Sequence, residues 1–254
     1  MAARGFLGAG DLYIARFNET TQAFGGFTGP FEASSFEIQP NVELLEMQSR
    51  GRDTYGQVIE SVPLPQPSDF TLVLSEVNRQ ALTMALMGAE STINQASGTW
   101  TAASITIGQK GEWFDLGSQN VAAAGFSLTN VGATVTYVLG TDYEINYRMG
   151  WIKVLPGSAI AHGASLRVTG TFGAVGGTLI RGAVSNQVRA RFRLDGVNFV
   201  DKSPVEVDVH EAVLSPESAF DFLSNEFASI TLTGRLKTPV GRNEPFTVKM
   251  LNPA

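Results

Sequence analysis

The sequence predicts a mainly β protein, built from packed antiparallel sheets with a flanking helix. Polar and apolar residues alternate along most of its 254 residues, which is the pattern of strands that bury one face. Helical spacing is confined to two short segments. The length suits one large or two modest domains, and the 43% apolar content suits a folded chain rather than a disordered one.

The clearest strands lie in the last third of the chain. One strand is predicted around 188–194, with four apolar residues on one face: Val188, Ala190, Phe192 and Leu194. The next runs through VEVDVHEAV, whose apolar face is Val205, Val207 and Val209 and whose polar face is Glu206, Asp208 and His210. SITLTGRLK and PFTVKML are predicted as two further strands. In the middle of the chain, DYEINYRMGWIKVL is predicted as a hairpin that turns at Met149-Gly150.

The first helical segment follows residue 78. Asn78 is the predicted N-cap, because its side chain can accept a hydrogen bond from the first turn. Leu82, Ala85 and Leu86 form the predicted apolar stripe, and Gly88 lies just beyond the predicted end. We expect this helix to cover an apolar face of a sheet.

The second helical segment is PESAFDFLSNEF. Ser215 and Pro216 are predicted as its cap and first residue, since proline is well tolerated in the first turn. Phe220, Leu223 and Phe227 have the spacing of a buried side. We expect a shorter helix here.

The distribution of charge indicates an inserted module. Residues 1–98 hold 5 basic and 11 acidic groups, residues 99–175 hold 4 and 4, and residues 176–254 hold 9 and 9. All three tryptophans fall in the middle segment, and Ser- and Gly-containing joints flank it. We therefore predict one domain formed by 1–98 and 176–254, interrupted by a separate β-sandwich over 99–175.

An unusual segment over 40–68 combines apolar residues, acids and a series of prolines, Pro63, Pro65 and Pro67. Its apolar residues are Val42, Leu44, Leu45 and Met47, followed by the basic pair Arg50 and Arg52. One interpretation is a long β-hairpin with a mobile tip. We favour a buried docking segment, because a solvated loop would not need these apolar side chains.

The arginines Arg189, Arg191 and Arg193 form the one concentrated basic stripe of the chain. On a strand they project to the same side, about 7 Å apart. Because the whole chain is acidic, we interpret them as partners of carboxylates on a neighbouring strand or subunit rather than of phosphates. The prediction is a set of ion pairs between subunits.

No catalytic, cofactor or metal site is predicted. The chain has no cysteine and two histidines, and it lacks a P-loop, an HExxH, a GxSxG and an EF-hand motif. His210 lies near Asp208, yet the sequence offers no nucleophile for a relay, so we interpret His210 as a surface residue. The net charge of −6 disfavours nucleic-acid binding, and no apolar run reaches the ~20 residues that span a bilayer.

Three segments carry a family resemblance. GDLYIARFNETT…FEASSFEIQP and SRGRDTYGQVIESVPLPQPSDFTLVLSEVNRQALTMALMG resemble the first half of major tail tube proteins of long-tailed bacteriophages. This similarity covers roughly residues 8–90 and resumes over 181–251. The central GTDYEINYRMGWIKVLPGSAIAHGASLRVTGTF resembles the immunoglobulin-like β-sandwich modules that are inserted in phage structural proteins.

The resemblance implies a tail-tube-type fold and a virion structural role. The protein would be a subunit of hexameric rings that stack into the tail tube, assembled in the host cytoplasm and located in the virion tail. Its implied partners are further copies of itself and tail terminator, baseplate or tape-measure proteins. Phage DNA would pass through the lumen without specific binding, and no cofactor or membrane is involved. The segment 40–68 is our candidate for ring-on-ring stacking.

Two alternatives remain open. The protein could be a virion adhesive that binds glycans through aromatic side chains, which would be Trp100, Trp113, Trp151, Tyr143 and Tyr147. It could also be a hydrolase that acts through carboxylates, although no shared cleft is indicated by the sequence. For these aromatic residues we favour a role in the core and in hairpin pairs of a sandwich.

Overall fold

The computed structural model describes residues 5–19 and 21–252, and it confirms a mainly β chain with antiparallel sheets and a short helix. The chain divides into two compact units. Unit 1 contains the chain up to Glu90 and again from Ile180, and unit 2 is Ser91–Leu179. The predicted insertion, 99–175, falls inside unit 2.

The elements follow one another along the chain as follows. In the first part they are β1 (Gly8–Asn18), β2 (Ala23–Phe24), β3 (Thr28–Phe31), β4 (Ala33–Gln48), β5 (Val58–Leu74), α1 (Arg79–Ala85) and β6 (Ala89–Gln95). The middle part contains β7 (Gly98–Thr106), β8 (Trp113–Asp115), β9 (Ser127–Asn130), β10 (Thr136–Tyr137), β11 (Tyr143–Asn146), β12 (Trp151–Val154) and β13 (Ser165–Phe172). The last part contains β14 (Val175–Arg181), β15 (Val188–Asn198), β16 (Pro204–Pro216), β17 (Ile230–Leu236) and β18 (Phe246–Met250). No helix in the described part of the chain is long and apolar enough to cross a membrane.

Unit 1 is built on one large antiparallel sheet that folds back on itself. Its strands follow the order β2-β1-β15-β16-β17-β5-β4, with β3 also paired to β1 and β18 to β16. β15 and β5 are three strand spacings apart, which is about 14 Å in a flat sheet. Yet the rings of Phe192 and Phe70 on these strands lie 5.1 Å apart. The sheet therefore curls around a single core, to which α1 also contributes.

Unit 2 is a sandwich of two antiparallel sheets. One has the order β10-β9-β13-β7 and the other β11-β12-β8. Both sheets contribute side chains to one core, among them Leu128 and Val168 from the first sheet and Ile152 and Val154 from the second. The chain enters and leaves this unit along β6 and β14, which pair with each other.

The first predicted helix exists, but its buried face differs from the prediction. Asn78 is the N-cap and accepts a hydrogen bond from the backbone N–H of Ala81 at 3.0 Å. The buried residues are Ala81, Thr83 and Met84, whereas Leu82, Ala85 and Leu86 are only partly buried. The helix has just 7 residues and meets the core through Ala81 and Met84, one turn apart. Its end is also earlier than predicted, because Met87 already has a positive φ of 46°.

The second predicted helix is wrong. β16 continues through Ser215 and Pro216, which pair with Thr233 and Leu232 of β17, so the proposed cap and first turn are strand residues. The residues that follow form turns without a helix up to β17. Of the three predicted buried residues, only Phe220 packs against the core, whereas Leu223 and Phe227 are exposed.

A bulge in β16 changes which residues face the core. Ala190 of β15 pairs with Ala212, but Phe192 pairs with Val209, so β16 has one residue more than β15 in between. Beyond this bulge the alternation starts again with the opposite phase. As a result His210 and Glu211 are both buried. The prediction of a surface His210 is therefore wrong.

Candidate assembly surface

The segment 40–68, which we call the arm, is a long two-stranded hairpin. β4 and β5 pair with each other from Ala33 and Leu74 to Gln48 and Val58. The third strand, β17, accompanies β5 only between Asp69 and Leu74. The backbone is therefore the β-hairpin of the first interpretation. Beyond the level of Asp69, eight further pairs of residues join β4 and β5, from Asn41 with Gln66 to Gln48 with Val58, and they extend over roughly 23 Å.

Both faces of the arm carry exposed apolar side chains. Val42 and Leu44 lie opposite Pro65 and Pro63 on one face, while Leu45 lies opposite Val62 on the other. The four predicted residues, Val42, Leu44, Leu45 and Met47, are each more than 60% exposed. The expectation that they are buried is wrong for the single subunit. Sequence analysis missed the matching residues of β5, which include Ile59, Val62 and Leu64.

The prolines of the arm shield one of its edges. Pro63 and Pro65 are paired with Leu44 and Val42, and a proline has no N–H to donate. The backbone hydrogen bonds that join β4 to β5 must then come from the residue pairs that alternate with the proline pairs, such as Glu43 with Leu64. The proline nitrogens therefore point to the outer edge of β5, where they remove the donors that another strand would need. The free edge of β4 has no comparable series of prolines.

Side-chain hydrogen bonds order the arm at its base and tip. At the base, Asn41 donates to the Asp69 carboxylate at 2.7 Å. At the tip, the Ser49 and Thr54 hydroxyls are 2.6 Å apart, and the Gly56 N–H donates to the Ser49 carbonyl at 2.9 Å. Arg50 and Arg52 stand exposed on this tip. The arm thus presents apolar side chains together with exposed glutamates along its strands, and its tip carries Arg50 and the pair Arg52 and Asp53.

The arginine stripe on β15 is engaged within the chain. Each guanidinium stacks on a phenylalanine ring from the β1–β3 region, in the pairs Arg189 with Phe17, Arg191 with Phe24 and Arg193 with Phe27. Arg189 and Arg193 also pair with carboxylates on the adjacent strand β16, namely Glu211 and Asp208. Arg191 donates to the backbone carbonyl of His210. Carboxylates on a neighbouring strand were one of the expected partners, and these pairs lie within one subunit. Ion pairs of Arg189, Arg191 and Arg193 with another subunit stay a prediction.

Glu211 and His210 are held in defined ionisation states. Burial by itself raises the pKa of Glu211, but hydrogen bonds from Arg189 at 2.8 Å and Lys237 at 3.2 Å outweigh it and bring the pKa below its ordinary value. The pKa of His210 is also lowered, first by burial and then by the charge of Arg242. The Arg242 guanidinium lies 3.1 Å from His210 Nε2, which must accept the hydrogen bond and therefore carries no proton. Both residues stabilise packing around the bulge.

A second exposed apolar segment is the connection between β16 and β17. Residues 217–229, which we call the acidic loop, carry Glu217, Asp221 and Glu226, with no Lys or Arg between Lys202 and Arg235. Phe222, Leu223 and Phe227 of this loop are exposed, Leu223 to 89% and Phe227 fully. Leu223 and Phe227 were predicted, together with Phe220, as the buried face of a helix. The signal that could have identified them is the uniform negative charge around them.

The aromatic residues of unit 2 serve mainly as packing. Tyr143 belongs to the core, and Trp100 packs against it with its ring 4.8 Å from Phe172. Trp113 and Trp151 share the outer face of the three-stranded sheet, with Lys153 4.9 Å from the Trp113 ring. Trp113 is the exposed member of the predicted aromatic set, at 44%, whereas Trp151 is half-buried.

Within residues 5–19 and 21–252, no group of three or more His, Cys, Asp or Glu side chains is placed to hold a metal ion. A family model described as "Protein of unknown function UCP028589" matches residues 5–239 of the chain. None of the curated proteins matches it. The match extends over both compact units and most of the chain.

Proposed function

We propose that this chain, which belongs to the family UCP028589 of unknown function, is a self-assembling virion structural protein, the subunit of hexameric rings that stack into a phage tail tube. The tube would conduct the genome into the host. The resemblance of residues 8–90 and 181–251 to tail tube proteins supports this proposal, and so do the surfaces of unit 1. The observation that carries it is the exposed apolar arm.

The arm exposes more apolar surface than a solitary subunit would be expected to leave in water. Six of its side chains, Val42, Leu44, Leu45, Met47, Ile59 and Val62, are exposed by 45–62%. Burying one such side chain fully stabilises a complex by about 1.5–3 kcal/mol. Contiguous apolar surfaces of this kind mark interaction sites. A contact repeated by every subunit of a ring would multiply the effect.

The two ends of the large sheet support lateral association. β4 forms one end of the strand order, and β2 forms the other. Strands at a sheet's end leave backbone donors and acceptors unpaired, and pairing between neighbouring copies satisfies them. A closed ring removes such edges, as a barrel does. The proposal therefore assigns β2 and residues 33–39 of β4, which lie outside the arm, to ring formation, and it assigns the arm to stacking.

The charge of the chain is compatible with a DNA conduit. The net charge is −6, and residues 1–98 account for the whole excess of acids. Weak repulsion of phosphates would let DNA pass without being held. In this proposal the arginine stripe does not bind DNA, because two of its guanidinium groups are paired with carboxylates of the same chain.

The test is a double substitution on the arm, Leu44→Asp with Leu45→Asp. We expect the variant to lose tubes in negative-stain micrographs while circular dichroism and thermal melting keep the β signal, because both leucines lie outside the core. The matched control is Val131→Asp with Val135→Asp, two similarly exposed residues of unit 2. It should assemble like the unchanged protein. Normal tubes from the arm variant would refute the stacking role.

A second candidate function is glycan binding by unit 2. It is favoured by one observation, the pair Trp113 and Trp151 on a common outer face together with Asp115, Glu144 and Lys153. Indole rings beside carboxylates suit the apolar faces and hydroxyls of sugars. Glycan-array binding that disappears in Trp113→Ala, by a protein that stays monomeric, would favour this function over the tube.

A further inference from the structure

The arm and the acidic loop leave the large sheet at opposite ends of the same strands. At one end of the β5–β17 pairing, Leu74 of β5 pairs with Ile230 of β17, the residue that follows the acidic loop. At the other end, Asp69 of β5 pairs with Arg235 of β17 and with Gln39 of β4. The arm begins there and extends away from the acidic loop. Both features belong to unit 1. A shift of one copy along the strand direction therefore brings the arm of that copy towards the acidic loop of the next.

Both surfaces expose apolar side chains that could be buried against each other. The arm offers aliphatic side chains on both faces, with Leu44 on one and Leu45 on the other. The acidic loop offers Phe222, Leu223 and Phe227, all strongly exposed in the single subunit. Burial of these side chains against each other would remove both surfaces from water.

The arginines at the tip of the arm are opposite in charge to the acidic loop, while the acids Glu43, Glu46 and Glu60 lie along the strands of the arm. Arg50 and Arg52 stand on the exposed tip of the arm, where Asp53 contacts Arg52 at 3.2 Å. The acidic loop supplies Glu217, Asp221 and Glu226, all exposed and with no basic residue among them. Opposite charges at the rim of an apolar contact set its register and disfavour wrong partners.

We propose that the arm of one copy docks on the acidic loop of the next copy along the stack. This inference rests on the proposed function and names the surface that receives the arm. The contact is heterologous, since two different surfaces of the same chain meet, and such a contact propagates without limit until another protein caps it. The cap at one end must offer an acceptor for the arm, and the cap at the other must offer basic and apolar groups to the loop.

Another apolar surface could compete for the arm. A groove of about 550 Å³ is lined by Phe6, Phe36, Ile38, Val205 and Val248, among others. None of the described residues that line it is charged. It therefore offers no partner within its walls for Arg50 and Arg52, whereas the acidic loop offers three.

Cross-linking tests the contact directly, because the chain has no cysteine of its own. Leu44→Cys protein is mixed with Phe227→Cys protein under assembly conditions and treated with a short bismaleimide. We expect cross-linked dimers in the mixture, with few from either variant alone. The matched control mixes Leu44→Cys with Val248→Cys, whose cysteine would lie in the groove. Cross-links to position 248 in place of 227, in assembled tubes, would overturn the inference.

A charge exchange provides the second measurement. Arg50→Glu with Arg52→Glu should abolish stacking, and so should Asp221→Lys with Glu226→Lys. Both pairs combined in one chain should restore tubes, since the charges are complementary again. Tubes formed equally by all variants, or no recovery in the combined chain while circular dichroism shows it folded, would contradict the contact. If the unchanged protein formed no rings or tubes at all, the proposed function itself would fail.

Discussion

Glu211 is buried between two cations at the point where β16 gains an extra residue. Period-two alternation predicts Glu206, Asp208 and His210 on one face and says nothing of a bulge, so the sequence could not place Glu211 inside. Only the register, with Ala190 opposite Ala212 and Phe192 opposite Val209, reveals the change of phase. The arginine stripe was predictable as a stripe. Its partners depended on this register and on the phenylalanines that the β1–β3 region brings over it.

The lowered pKa values of His210 and Glu211 predict loss of stability in acid. A group whose folded pKa is depressed stabilises the fold above its unfolded pKa, and this contribution is lost as the pH falls through the folded value. For His210 the loss begins below about 6.5, and for Glu211 below about 4.5. Both groups therefore lower the stability of the fold as the pH falls, and the effect of His210 begins at the higher pH. The groups that face His210 are Arg242, Glu244, Asp208 and Arg191.

The measurement is urea unfolding at several pH values between 7 and 5. We expect the free energy of unfolding to fall over this range, and to fall less in His210→Asn, which cannot take up the proton. His162→Asn, which replaces an exposed histidine, serves as the control and should keep the full decline. An equal decline in the His210 variant would show that other groups are responsible.

Among the helices and strands, a feature was predictable from the sequence when it depends on residues within a few positions of one another. The Asn78 cap acts within one turn and was predictable, whereas the face that α1 buries depends on how the helix meets the sheet. Ser215 and Pro216 resemble a helix start, yet pairing with β17 keeps them in a strand. The sequence did indicate the arm, as an unusual apolar segment with the proline series Pro63, Pro65 and Pro67. That it stands clear of its own core follows from the absence of a third strand beside β4 and β5 there, which no local pattern encodes.

Unit 2 is expected to be dispensable for assembly. Its core shares no residue with the core of unit 1, so each unit has its own packing. Replacing residues 99–175 with a short Gly/Ser bridge from Gly98 to Gly176 should leave unit 1 folded and able to form tubes. Thermal melting and negative-stain micrographs check this expectation. An insoluble product, or a folded one that no longer assembles, would show that unit 2 takes part in the assembly contacts.

At the scale of the whole molecule, composition and alternation were sufficient to predict the β class and a separate middle module. They could not predict that the large sheet curls until Phe70 and Phe192 touch, since that contact joins residues far apart in the chain. Nor could they show that the arm and the acidic loop lie at opposite ends of that sheet. Alternation with a period of two residues shows which side chains share a face of a strand. It does not show at which end of the sheet a loop or hairpin lies, because that depends on which strands pair.

The central claim is that the chain assembles with itself into stacked rings. Sedimentation velocity over a range of protein concentrations, combined with negative-stain microscopy of the same samples, tests it most directly. We expect monomers to form rings and then tubes as the protein concentration rises. A species that stays monomeric at every concentration, with no rings or tubes in the micrographs, would contradict it.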